Sequence, residues 1–268
     1  MAAGGYSRDV QQYKPSTLSI AMRSSSNPTY SRSAIERLSA ANENDGTVLT
    51  LPGIARKSFV LLLLVIISAA YTWRHAALHG PSSIMTAAAI GCIGGFAVGL
   101  FTIFSPRSAP VTAPIYAVLE GLAIGAISYM YNARYHGIPL HAALATFAIA
   151  GVCFALFATN RIEVSESFAE KVAIGMMGLL AVYLFEWVLR IMGVPFGSSL
   201  DQGWLGFGIN AIAIGLAISC LFVDFAEIDS ARKEKLSAKT EWYFAFSVLV
   251  TLVWLYLEIL RMLKRFRR

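Results

Sequence analysis

Seven apolar runs follow one another from about residue 58 to the end of the chain. Each is long enough to cross a bilayer, which takes about 20 residues as a helix. Only helices fit, because every backbone polar group in lipid must be paired within its own segment. The predicted spans are 58–77, 84–104, 113–131, 139–159, 172–192, 203–225 and 242–263. The pattern predicts an all-α polytopic membrane protein with seven transmembrane helices in one compact bundle.

The residues before these runs have a different character. Residues 1–50 are rich in Ser, Asn, Thr and Arg without a sustained apolar period, which predicts a disordered polar tail. Residues 51–268 then form the transmembrane domain, and the short piece 47–58 is expected near the membrane interface. The first apolar run begins near Phe59, too late and too long for a signal peptide.

Composition supports the same class of protein. The chain is 56% hydrophobic and 14% charged, whereas soluble domains are about a quarter charged. The net charge of +6 fits basic loops that face anionic lipid. The sequence has no basic face with interleaved aromatic residues, so nucleic-acid binding is not indicated. Cys92, Cys153 and Cys220 all lie within apolar runs, and we expect them to be buried free thiols.

The distribution of basic residues predicts the orientation. One set of loops carries Arg56, Lys57, Arg107, Arg161, Lys171, Arg232, Lys233, Lys235 and Lys239. The opposite loops carry only Arg74, Arg134 and Arg190. We therefore expect the N-terminus to be cytoplasmic in a cell (inner or plasma) membrane. The basic C-terminal tail would then lie outside, unless the last segment dips into the membrane and returns.

Acidic residues within the spans are the candidate functional groups. A carboxylate at the bilayer centre costs roughly 2.5–3.5 kcal/mol on insertion scales, so Asp224, Glu258 and Glu120 are candidates for sensing ions or protons. Asp224 and Glu227 are three residues apart and form a weak candidate for a calcium site, since calcium takes oxygen ligands. The alternatives are a solvated helix end for Asp224 and Glu227, and a self-neutralising pair of Glu258 with Arg261.

Other polar residues in the spans are expected to be structural. Glu186 and Arg190 are four residues apart and predict an internal ion pair. His75 and His79 predict an interfacial pair on one helix face rather than a metal site. The nucleotide-binding, zinc-protease and serine-hydrolase motifs do not occur in the sequence, so an enzyme is disfavoured and no cofactor is expected.

Three stretches together resemble a known family. APIYAVLEGLAIGAIS in the third run, VDFAEID at the end of the sixth and EWYFAFSVLVTLVWLYLEILRML in the seventh are similar to the BAX inhibitor (transmembrane BAX inhibitor motif) family, in its bacterial branch with a long polar N-terminus. The resemblance covers about residues 46–266. It implies a central last helix wrapped by the first six as two three-helix halves. It also implies a pH-sensitive calcium leak, gated by two aspartates on the sixth and seventh helices and an Arg latch near the third.

Only one of these family positions has a clear match in this sequence. Asp224 matches the sixth-helix aspartate, and Arg107 is a loose match for the latch. On the seventh helix, aligning LYLEIL places Glu258 at the acid position, whereas aligning LRML places Thr251 there. Asp224 lies near the connector and Glu258 deep in its span, so their depths would differ by well over 10 Å at about 1.5 Å per residue. Glu120 is a further candidate for the second acid.

The leading functional hypothesis is a proton-dependent calcium or cation leak channel, or an ion sensor, whose partners are the lipid bilayer and the cation. The alternative is a regulatory protein without transport, acting through its tail and the charged connector 227–241. Which protein partners it would bind does not follow from the sequence. A small-solute carrier is a weaker third hypothesis, because no broken mid-membrane helices occur at corresponding positions.

Overall fold

The computed structural model of the chain describes residues 47–159, 164–193 and 203–267. The helices in these ranges are α1 (Leu51–His79), α2 (Met85–Phe104), α3 (Ala109–Arg134), α4 (Ile138–Ala158), α5 (Glu166–Ile191), α6 (Trp204–Lys233) and α7 (Glu241–Phe266). All seven are long and apolar enough to cross a membrane, which confirms the predicted fold class. The predicted disorder of residues 1–46 lies outside the described residues.

Local chemistry sets where several helices begin and end. The Thr50 side chain accepts a hydrogen bond from the Gly53 backbone N–H and so caps α1. The turn before α4 needs a positive φ of 82° at Gly137, and Pro139 follows in the first helical turn. The helix α6 continues to Lys233, beyond the apolar run, and Ile228 and Ala231 in its last turns are buried against the rest of the bundle.

The last helix lies at the centre of the bundle. The α7 span is 78% buried inside the protein, whereas the α5 span is 11% buried. It packs against α1, α3, α4 and α6. Around it, α3 packs against both α1 and α2, while α6 packs against both α4 and α5. This arrangement confirms two three-helix halves around a central α7.

Small residues bring α1, α2 and α3 into close contact, as their spacing predicts. A Cβ atom on Gly125 would overlap the backbone of Ala69 on α1, and one on Gly121 would overlap Val65 and Ser68. On the other side of α3, a Cβ on Gly91 of α2 would overlap the α3 backbone at Leu119 and Ala123. The first three helices therefore pack with their backbones almost in contact.

The two ends of the domain lie on opposite sides of the bundle. Near the start of α1, the Leu49 N–H donates to the Leu236 carbonyl in the α6–α7 connector, at 2.7 Å. At the other end, Arg267 donates to the His136 carbonyl in the α3–α4 turn. The helix α7 is unbroken between these sides, so the C-terminal segment does not dip into the bundle and return. The basic C-terminal residues therefore share the side of Arg134.

Two expectations need correction. Cys92 is exposed, whereas Cys153 and Cys220 are buried. The reason is that α2 packs mainly against α3 through the face that carries its buried glycines Gly91, Gly95 and Gly99, so its other faces are lipid-facing. In addition, residues 47–50 belong to the folded domain: Leu49 is 2% exposed, and 51–58 form the first turns of α1.

The glycine contacts predict a stability difference between two matched substitutions. Gly125→Ala should lower the free energy of unfolding by about 1–3 kcal/mol, because the added methyl overlaps backbone that cannot move aside. Gly151→Ala, in the middle of α4 with open space around it, should be neutral or slightly stabilising. Thermal unfolding in detergent would measure both, and equal melting temperatures for the two variants would contradict the close packing of α1 and α3.

Candidate functional site

Asp224 is fully buried where α6 packs against α7. Its side chain is 0% exposed, and its carboxylate accepts hydrogen bonds from two hydroxyls of α7. The Thr251 Oγ1 donates at 2.7 Å and the Ser247 Oγ at 3.1 Å. Ser247 and Thr251 are one turn apart on α7, so both reach the same carboxylate. Four oxygen atoms therefore converge at one point of the interface.

One of the two seventh-helix candidates contacts Asp224 directly. Thr251, and not Glu258, is the residue opposite Asp224. Glu258 is seven residues further along α7, about 10 Å deeper at 1.5 Å per residue. Asp224 is therefore not a solvated helix end, and its partners on α7 are hydroxyls.

Glu258 forms a second buried polar cluster. It is 0% exposed and accepts hydrogen bonds from three helices, namely from Tyr183 of α5 at 2.9 Å, from Asn210 of α6 at 2.7 Å, and from Trp254 and Arg261 of α7, each at 3.1 Å. The predicted pair of Glu258 with Arg261 is present. The cross-helix contacts show that the pair is part of a larger network rather than an isolated ion pair.

An apolar layer separates the two polar clusters. On α6, Asn210, Ala217 and Asp224 recur every seven residues and share a face. Ala217 and Leu255, which lies between Thr251 and Glu258 on α7, are both 0% exposed and belong to one hydrophobic cluster. The α6–α7 interface thus contains a polar level at Asp224, an apolar level, and a second polar level at Glu258.

The Glu258 level opens into a cavity between α3, α5, α6 and α7. This cavity has a volume of about 470 Å³. Glu258 and Asn210 line it together with Glu186 of α5 and three basic residues near the end of α7. It lies toward the side of the C-terminus. The predicted partner of Glu186, Arg190, has a side chain outside the described residues.

Glu120 lies apart from both clusters. Tyr116, one turn earlier on α3, is the polar side chain that interacts with it. A Cβ on Gly95 of α2 would contact its Oε2 atom, so the carboxylate lies between α2 and α3. Tyr116 in turn packs edge-to-face against Phe246 of α7, with ring centroids 5.0 Å apart. The structure therefore does not bring Glu120 next to Asp224.

The remaining candidates are placed as follows. Glu227 is buried, at 7% exposure, one turn beyond Asp224 on α6. Within the described residues, no group of three or more His, Cys, Asp and Glu side chains is arranged to hold a metal ion. Arg107 is exposed in the turn between α2 and α3, which packs near Ala238–Thr240. His75 and His79 stack with ring centroids 4.4 Å apart, as their spacing predicts.

A cluster of hydrogen bonds around Glu241 near the start of α7, called the clamp below, was not predicted from the sequence. Glu241 accepts hydrogen bonds from Lys57 at 2.7 Å and from both the backbone N–H and the side chain of Thr50. Lys57 also donates to the Ala238 carbonyl. Residues 47–49 pair with the connector beside this clamp through Val48 and Ser237. Glu241 and Lys57 looked like ordinary loop charges, because no short-range spacing relates residues so far apart in sequence.

The arrangement of helices can be compared with known protein families. A family model described as "Bax inhibitor 1 like" matches residues 27–268. No curated protein and no solved structure gives a significant match. The match includes α1 to α7 and thus every residue of the two polar levels.

The clamp predicts a local effect of removing the Lys57 charge. Lys57→Met should destabilise the docking of residues 47–50 by roughly 1–3 kcal/mol, because the largely buried Glu241 carboxylate loses its charged donor. The Leu49 N–H donates to the Leu236 carbonyl, and the Ala238 N–H donates to the Thr47 carbonyl. Hydrogen exchange at both amides should accelerate about tenfold or more.

The control is Lys233→Met, which removes a lysine whose side chain is 72% exposed and is paired with Asp229. An exposed pair contributes little, so the Leu49 amide should exchange at the wild-type rate. Equal exchange in wild type and Lys57→Met would show that the clamp does not hold the segment.

Proposed function

The chain belongs to the Bax inhibitor 1 like family, and we propose that it is a membrane protein that passes cations, calcium among them, in a proton-dependent way. Asp224 is the ion- and proton-responsive group in this proposal. The observation that carries it is the complete burial of Asp224 between two α7 hydroxyls. A carboxylate is costly in a membrane interior and is rarely kept there without a function.

The chemistry of this level suits a hard cation. Calcium binds carboxylate, hydroxyl and carbonyl oxygens in flexible arrangements. The Ser247 and Thr251 hydroxyls donate to Asp224 in the described conformation. A hydroxyl that turns its proton away presents an oxygen lone pair instead. The same three side chains can therefore close the interface by hydrogen bonding or offer oxygen ligands to a passing ion.

Protonation supplies the switch. Hydrogen bonds to an ionised carboxylate are roughly twice as strong as neutral ones. The ionised form of Asp224 therefore ties α6 to α7, and a proton on Asp224 weakens both bonds. In this proposal the described conformation is the closed one, and acid pH favours separation of the two helices at the Asp224 level.

The proposed route passes from the Asp224 level to the cavity at Glu258. Ala217 and Leu255 form the apolar layer between them, and this layer closes the route while α6 and α7 stay together. Glu258 offers a second carboxylate on the cavity side. Arg107 remains a proposed latch, and Glu227 a proposed weak ligand at the mouth. Glu120 remains a predicted assisting acid, from a position between α2 and α3. No residue is assigned a catalytic role.

The proposal includes the orientation that the basic loops predict. The Lys57–Glu241 side would be cytoplasmic, and the cavity would open on the far side of a cell membrane. The far side also carries the basic C-terminal residues, which reduces the difference in basic residues between the two sides. The positive-inside signal then rests on the loops of the earlier spans.

A regulatory role without transport is the second candidate function. It is favoured by the pairing of residues 47–49 with the α6–α7 connector. A partner that bound the N-terminal segment would act directly on the element that leads into α7. Calcium flux separates the two candidates, because a purely regulatory protein would leave liposomes silent.

The flux prediction concerns purified protein in liposomes between pH 5 and 8. Calcium influx should rise as the pH falls. Asp224→Asn, which removes the titrating group and keeps its size, should make the flux independent of pH. Thr251→Val should shift the response toward the open state at neutral pH, because one of the two bonds from α7 is lost. A fluorescent calcium indicator inside the liposomes gives the measurement.

Asp229→Asn is the matched control, since Asp229 lies on the same helix but pairs with the exposed Arg232 and Lys233. It should retain the wild-type response to pH. If Asp224→Asn keeps the wild-type pH dependence, the proposed switch is wrong. If wild-type liposomes show no calcium flux at any pH, the proposed transport activity is wrong.

A further inference from the structure

A groove in the side of the bundle opens between α1 and α4. It has a volume of about 200 Å³ and is lined by α1, α3, α4 and α7. Its floor includes Leu252 and Val253 of the central helix α7, which are buried. Ile66 of α1 and Phe147 of α4 line it and are about half exposed, so they mark its mouth. Because α1 and α4 make little direct contact, the groove is a gap between the two three-helix halves.

The groove lies near the middle of the membrane. Its α1 residues fall within 62–69 of the helix Leu51–His79, and its α7 residues fall within 252–256 of the helix Glu241–Phe266. Both sets are therefore close to the midpoints of their spans. The hydrocarbon core is about 30 Å thick, so lipid headgroups lie roughly 15 Å away on either side. The medium outside the mouth is hydrocarbon.

The polar side chains that line the groove are already paired within the protein. The hydroxyls of Ser128 and Tyr256 are hydrogen-bonded to each other at 2.7 Å. Thr146 Oγ1 donates to the Ala142 carbonyl at 2.8 Å. The other lining residues are apolar. A ligand without polar groups therefore matches this surface.

The size of the groove restricts the occupant further. An apolar protein cavity of about 150 Å³ can hold a benzene molecule, so about 200 Å³ holds a short length of hydrocarbon chain. A helix of another protein chain is about 10–12 Å across with its side chains and does not fit. Apolar space that stays empty forfeits van der Waals contacts on every lining atom. These constraints favour the end of an acyl chain.

We propose that this groove binds the methyl end of a lipid acyl chain, which enters sideways from the bilayer. The chain packs on Leu252 and Val253 and fills the gap between the two halves of the bundle. It joins α1 to α4 through contacts that these helices do not make with each other. Since the chain binds the folded arrangement of the four helices, it stabilises that arrangement. Lipid on the outer surface of the bundle does not reach α7 in this way.

The test uses the full chain in phosphatidylcholine liposomes that contain a photoreactive phosphatidylcholine. This probe carries a diazirine at the methyl end of one acyl chain, and mass spectrometry locates the labelled residues after illumination. Label should appear on Leu252 and Val253, and also on Leu184, which is exposed on the lipid-facing side of α5. A diazirine near the carboxyl end of the chain should label the floor about tenfold less, because that end stays near the headgroups.

Two results would overturn the proposal at this stage. If Leu184 is labelled while Leu252 and Val253 are not, lipid covers only the outer surface, and the groove is empty or covered by protein. If both probes label the floor equally, the groove does not select the end of the chain.

Two substitutions on α4 provide a matched pair. Ala143 lines the groove, whereas Ala148 is exposed on the same helix. Ala143→Phe should lower the labelling of Leu252 and Val253 about fivefold or more, because an aromatic ring takes up most of a cavity of this size. Ala148→Phe adds the same ring outside the groove and should leave this labelling unchanged. Equal labelling of the floor in the two variants would overturn the proposal.

A smaller substitution covers the case in which Ala143→Phe does not fold, as judged by thermal unfolding. Ala143→Leu fills less of the groove and should lower the labelling of the floor about twofold or more, since a well-packed space has no room for additional methyl groups. The label on Leu144, which is exposed on α4, should not change. Wild-type labelling of the floor in folded Ala143→Leu, or an equal loss at Leu144, would overturn the proposal.

Discussion

A carboxylate buried between two membrane helices must be met by hydrogen-bond donors, and Asp224 imposes this requirement on α6 and α7. Ser247 and Thr251 meet it from a single face of α7. Their positions fix the register between the two helices, because a shift by one turn would remove one donor. The placement of α7 at the centre of the bundle follows the same logic, since a polar face on a peripheral helix would point into lipid.

The second polar level depends on the first. With Asp224 opposite Thr251, the seven-residue repeat of α6 brings Asn210 opposite Glu258. Ala217 and Leu255 then meet between them. The interface thus alternates polar, apolar and polar levels over about 20 Å of α6, from Asp224 to Asn210, and over about 10 Å of α7, from Thr251 to Glu258. At the start of α7, the ion pair between Glu241 and Lys57 holds the start of α1 against the α6–α7 connector. The Asp224 level therefore lies between the Lys57–Glu241 clamp and the Glu258 network, and both of these join α7 to neighbouring helices.

The sequence was sufficient for the fold, because membrane spans are encoded by local composition. Runs of apolar residues predicted α1 to α7 with shifts of a few residues at most ends, and glycine spacing predicted the contacts of α3 with α1 and α2. Pairings between helices were not encoded locally. Thr251 and Glu258 both lie on the α6-facing side of α7, and only the register with α6 decides which one meets Asp224. Lys57 and Glu241 are separated by most of the chain, so no local spacing relates them. The exposure of Cys92 could not be predicted because the sequence does not show that α2 lies at the periphery of the bundle.

The central claim is that ionised Asp224 ties α6 to α7 through Thr251 and that a proton loosens this tie. A double-mutant cycle with Asp224→Asn and Thr251→Val, followed by unfolding in detergent, measures the tie directly. We expect a coupling free energy of about 1–3 kcal/mol at pH 7.5, as for hydrogen bonds to charged groups, and a clearly smaller coupling at pH 5. A coupling near zero at pH 7.5, or the same coupling at both pH values, would contradict the account.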